Sequence, residues 1–142
     1  MHAFVVKRVA DGATATLYEM TEASANVIGA GLRWSPTGDQ ILQGYKDGSG
    51  IFMLHADTPG LKTWAIQRTT YKTKSSTYTD APDLPLWRND SQVFAFSLER
   101  TIIPTKGTTT MEHYPSVTTG GWPSTNLTTS RPGRVHPIGW TP

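Results

Sequence analysis

The sequence predicts an all-β fold: a small sandwich or barrel of hairpin-linked antiparallel strands carrying a long extended C-terminal arm. Three observations lead there. Short apolar or Thr-bearing runs alternate with Gly, Asp and Pro turn clusters through residues 1–104. Helix signals are confined to one short stretch after Met20. Beyond Pro104, Thr, Pro and Gly stand where a core-forming pattern would otherwise be. The expected organisation is a β-rich domain over residues 1–104 and an arm over residues 105–142. A chain of 142 residues fits one domain, and a domain of about this size buries roughly 68–70% of the surface its unfolded chain exposes. Five Trp, five Tyr and four Phe supply the large apolar surfaces such a core needs.

Residues 3–10 and 13–20 read as two strands joined by Asp11-Gly12, a dipeptide that supplies positive φ for a two-residue hairpin turn. Residues 21–27 suit one short helix, with Thr21 as cap and Glu22 in the first turn. Residues 27–34 return to strand and break at Ser35-Pro36-Thr37-Gly38, where fixed Pro geometry meets a permissive Gly. A second hairpin follows, with residues 39–46 and 51–56 flanking Asp47-Gly48-Ser49-Gly50, and Thr58-Pro59-Gly60 closes it. Residues 62–72 alternate as one long strand exposed on one side. Residues 74–86, rich in Ser, Thr, Asp and Pro, read as a loop. Residues 91–100 form the strongest strand, central to its sheet, with Phe94, Phe96 and Leu98 on one apolar face; Pro104 ends it.

The chemistry that the sequence withholds narrows the function. The chain has no cysteine, so disulfides, thiolate metal sites and Cys nucleophiles are all excluded. The N-terminal apolar run is too short for a signal peptide, and no stretch approaches the ~18 apolar residues of a membrane span. The expectation is a soluble protein made in a host cytoplasm, with no membrane partner. No phosphate-binding loop, dinucleotide fingerprint, zinc-protease helix or nucleophile elbow occurs. His2, His55, His113 and His136 are dispersed, and Asp11, Asp39, Asp47, Asp57 and Asp80 sit in turn-like settings that Asp stabilises locally. No catalytic residue, metal or cofactor is expected, and the chain reads as a non-enzyme. An enzyme reading would need a carboxylate pair across a concave site.

Two sets of residues are candidates for binding. Lys62, Arg68, Lys72 and Lys74 occur without an intervening acid, interleaved with Trp64 and Tyr71. They form either a solvated strand face or a contact with a ligand or acidic surface; a glycan suits this better than nucleic acid. In the arm, Trp122, Leu127, Val135, Ile138 and Trp140 are spaced apolar anchors that would be unfavourable in water, with Arg131 and Arg134 as charge partners for an acidic neighbour. Met111, Tyr114 and Val117 add apolar groups to the same segment.

Residues 33–42 and 86–94 are alike, allowing one gap, and the first stretch resembles the W-S-P-D-G turn and strand of TolB-like propeller blades. Their 53-residue separation exceeds the usual ~40–45 residue blade, and 142 residues do not supply the four or more blades of a propeller, so the expectation is two similar strand entries. A cysteine-free, Thr-rich, helix-poor domain with a long extended tail looks like the small structural proteins of tailed-bacteriophage virions, such as head-decoration, neck or tail components. That resemblance covers the layout of the whole chain. It implies a virion subunit docking to copies of itself and to other virion proteins through its arm and sheet edges. The alternative is a carbohydrate- or receptor-binding β-sandwich module, whose mark would be three exposed aromatics in a row on one sheet face.

Overall fold

The computed structural model describes residues 1–26, 28–29, 32–91 and 93–118, together with the two-residue strand Thr125–Asn126; Asn26 and residues 125–126 are described by backbone alone. It is mostly β, in three antiparallel sheets. The arm anchors Trp122, Leu127, Val135, Ile138 and Trp140, with Arg131 and Arg134, lie outside the described residues.

The first sheet is the hairpin of β1 (His2–Lys7) and β2 (Thr14–Met20). Its loop is longer than a two-residue turn. The Arg8 N–H donates to the Ala13 carbonyl at 2.8 Å and the Gly12 N–H to the Arg8 carbonyl at 2.9 Å, with Gly12 at φ 71°. The register slips between Phe4 and Val5, which pair with Tyr18 and Thr16. The residue left over on β2 is Leu17, and the bulge turns it into the interior, where it is 2% exposed. Helix α1 (Glu22–Asn26) is a single turn capped as expected, with the Ser24 N–H donating to Thr21 Oγ1 at 3.3 Å.

The second sheet runs in chain order through β3 (Arg33–Trp34), β4 (Gln40–Gly44), β5 (Gly50–His55) and β6 (Lys62–Gln67). The third does the same through β7 (Thr69–Lys72), β8 (Ser76–Trp87), β9 (Phe94–Pro104), β10 (Thr110–Val117) and β11 (Thr125–Asn126), which places β9 at its centre. Every sheet is therefore a meander. Sequential strands pair because short loops leave them adjacent.

Four further expectations change. Residues 62–72 are not one strand: β6 and β7 belong to different sheets, and the chain crosses at Arg68, whose N–H donates to the Ser49 carbonyl at 2.9 Å. Residues 74–86 are not a loop, because β8 occupies most of them. Its prolines are tolerated because β7 stops pairing at Asp80, leaving the strand with one fewer ladder from there on, and because the β9 ladder is interrupted between Asp83 and Leu86. Residues 110–117, placed in the arm from composition, form β10 and pair along β9 from Ile102 to Ala95. Among the described residues of 27–34, β3 is the one strand, and Ile28 makes an isolated bridge to Tyr45.

The middle sheet is buried on both faces. Leu42, Ile51 and Ile66 point toward Trp87, Phe94, Phe96 and Leu98 of the third sheet. Ile41, Tyr45, Phe52 and Leu54 point the other way and pack with Leu17, Phe4 and Val6 of the first hairpin. Consecutive residues thus serve different cores, as the two-residue strand period requires. Among the described residues no helix is long and apolar enough to cross a membrane.

Candidate functional site: a cleft between two sheets

The loops that join β3 to β4, β4 to β5 and β8 to β9 share one hydrogen-bond pattern. In each, the first N–H donates to the sixth residue's carbonyl and the fourth N–H returns to the first carbonyl. The pairs are Ser35 with Gln40 and Gly38, Tyr45 with Gly50 and Gly48, and Arg88 with Val93 and Ser91, at 2.8–3.1 Å. The fourth residue needs a positive φ, and Gly38, Gly48 and Ser91 adopt 78°, 73° and 58°. This explains the likeness between residues 33–42 and 86–94: without a gap, Trp34 matches Trp87 and Gly38 matches Ser91.

The first and third of these loops meet. The Trp87 Nε1–H donates to the Arg33 carbonyl at 3.1 Å, and the Thr37 N–H to Ser91 Oγ at 3.2 Å. Beside this junction a cleft of ≈ 440 Å³ separates Gln40, Met53 and Trp64 of the middle sheet from Trp87 and Phe94 of the third. Trp87 and Phe94 are themselves buried and pack edge to face, ring centroids 5.7 Å apart, so the base is aromatic and fixed. Thr118 joins the lining and is tied to Phe94 by backbone and hydroxyl hydrogen bonds of 3.0 Å each.

The rim is polar. The Thr37 and Ser35 hydroxyls both donate to the Asp39 carboxylate, the latter at 3.0 Å. These two bonds, Thr37's first, hold the Asp39 carboxyl below its ordinary range. Asp39 is therefore an ionised acceptor, suited to pairing with a cation rather than to donating a proton. It is the sole carboxylate among the described lining residues, so the pair that glycoside hydrolysis requires is not assembled there.

The six residues singled out from the basic stretch are spread over separate surfaces. Trp64 lines the cleft and is 41% exposed. Lys62 faces inward: its Nζ donates to the Tyr45 hydroxyl at 2.8 Å and lies 5.0–5.4 Å from the ring centroids of Tyr18, Tyr45, Phe52 and Trp64. Arg68 reaches the Asp47 carbonyl at 3.5 Å. Tyr71 stacks on Tyr78, centroids 4.9 Å apart and planes 7° apart, while Lys72 and Lys74 lie exposed at the far end of the third sheet. Among the described residues, the exposed aromatics Trp34, Trp64 and Tyr71 sit on β3, β6 and β7, in two sheets, and do not form a row.

Residue-type reasoning missed Asp39, Trp87 and Ser91 as partners in one site. The signal available was the repeated turn, which placed two tryptophans at equivalent positions. No family model, curated protein or solved structure matches the chain, so its own geometry carries the reading of function.

Proposed function

We propose that the chain is a non-enzymatic structural subunit that docks to copies of itself or to other proteins of a virion, its inter-sheet cleft receiving an apolar anchor from a neighbour. The cleft is the observation that carries this reading. A volume of ≈ 440 Å³ lies within the roughly 300–1,000 Å³ of binding pockets, and an aromatic base under a polar rim suits a large side chain on an extended backbone. Trp122 and Trp140 have the right chemistry as anchors, and Arg131 or Arg134 is a natural partner for ionised Asp39. The layout proposed is a sandwich formed by the middle and third sheets, flanked by the first hairpin, with the arm as the connecting device. Many such contacts repeated around a particle become firm by multivalency. A carbohydrate platform has less support, because among the described residues the exposed aromatics are dispersed and those at the cleft base are buried.

The test is light scattering on the full chain, on a chain ending at Thr119, and on Asp39→Lys. The expected result is an assembling full chain, a truncated chain with its β circular dichroism intact that no longer assembles, and weakened assembly for Asp39→Lys. A truncated chain that unfolds would make the arm part of the core instead. A full-length monomer that resists limited proteolysis would place the arm on its own domain.

A further inference from the structure

At the end of the third sheet farthest from the cleft, two hairpin tips lie together: Thr105 donates to the Ser75 carbonyl through its N–H at 2.9 Å and its hydroxyl at 3.3 Å. This places exposed Lys106 at the same end of the sheet as exposed Lys72 and Lys74. No acid occurs in residues 68–79 or 101–111. The nearest carboxylates along the strands are already engaged, Asp80 by both arms of the Arg100 guanidinium at 2.7 and 2.8 Å and Glu112 by the Tyr114 hydroxyl. None of the three lysines makes an ion pair among the described residues.

The same end carries a strand edge that no described residue pairs with. β7 is the last strand of its sheet and all four of its residues are exposed. Its Thr-Thr-Tyr-Lys sequence has strong strand propensity and no proline. Sheet edges of this kind accept an extended peptide through main-chain hydrogen bonds. Charge selects the occupant. Residues 119–142 contain no Asp or Glu and include Arg131 and Arg134, so the chain's own C-terminal segment does not complement the lysines. A second copy pairing β7 to β7 would bring like charges together.

We infer that β7 and its adjoining lysines are a docking edge for an acidic, extended segment of a different protein, which adds as a strand to β7 and sets its carboxylates against Lys72, Lys74 and Lys106. The site is distinct from the cleft and stands whether or not the cleft receives an anchor.

The test uses the full chain and three labelled probes in fluorescence anisotropy: a peptide alternating glutamate and threonine, its lysine–threonine counterpart, and an oligothymidylate of matching charge. The expected result is binding of the glutamate peptide alone, weakened about tenfold by the combined Lys72→Glu, Lys74→Glu and Lys106→Glu variant and by added salt. Hydrogen exchange should show β7 amides gaining protection with that peptide. Light-scattering assembly of the variant should match the parent, which separates this site from the cleft. No binding of the glutamate peptide at low salt, tighter binding of oligothymidylate, or binding without protection of β7 would each overturn the proposal.

Discussion

Asp39 shows how one turn sets a charge. Its hydroxyl partners Thr37 and Ser35 favour the ionised form, so its folded-state pKa is lowered. The stabilisation is present above the ordinary value of about 3.9 and is lost as pH falls through the folded value. Asp39→Asn should therefore flatten the acid limb of the stability profile, measured as urea midpoints between about pH 5 and pH 2, and leave the neutral-to-alkaline limb unchanged. An acid limb identical to the parent's would mean that the turn does not hold the carboxylate. Ser91 makes the complementary point. It holds φ 58° where the equivalent loops use glycine, and its hydroxyl accepts the Thr37 N–H. Ser91→Ala loses the bond and keeps the backbone strain, whereas Ser91→Gly loses the bond and relieves the strain. Thermal melts should place Ala below Gly by about 1 kcal/mol.

At the level of elements, what was legible in the sequence is what is local. The positive-φ glycines of the Asp-Gly steps, the Thr21 cap and the apolar face of Phe94, Phe96 and Leu98 each depend on residues a few positions apart, and each is in place, although the loop around Asp11-Gly12 is longer than the two-residue turn expected. What was not legible depends on partners far along the chain. Residues 62–72 alternate without interruption, and only the attachment of Arg68 to Ser49 divides them between two sheets. Pro82 and Pro85 argue against a strand until it is known that β7 stops at Asp80 and that the β9 ladder slips. The cleft is less visible still, since its joining contacts, Trp87 to Arg33 and Thr37 to Ser91, each span 54 residues. Close approach between strands also hides in the sequence. Gly50 has φ 150°, and a Cβ there would collide with the Ile66 carbonyl oxygen and sit 2.9 Å from the Trp64 ring. Gly50→Ala should lower stability by about 3 kcal/mol in urea unfolding, since both backbone and neighbour must yield. A loss below about 0.5 kcal/mol would show that the β5–β6 pair accommodates the methyl group.

For the molecule as a whole, the two cores lie back to back on the middle sheet, and this dictates how the fold comes apart. Ile41 and Phe52 face the first hairpin while their chain neighbours Leu42 and Ile51 face the third sheet. A strand cannot move its odd residues and leave its even ones in place, so loosening one core displaces the other. Phe52 and Phe96 are fully buried, one in each cluster. Phe52→Ala and Phe96→Ala should each cost about 3–5 kcal/mol. Each should also leave a single unfolding transition that coincides between tryptophan fluorescence and far-ultraviolet circular dichroism. The more demanding readout is native-state hydrogen exchange of Phe52→Ala: the amides of β9, which do not touch the hairpin core, should lose protection together with those of β1 and β2. If β9 keeps the parent's protection while the hairpin opens, the layers unfold separately. The middle sheet would then be a partition between two independent cores, and the cleft would keep its shape whatever happened on the hairpin side.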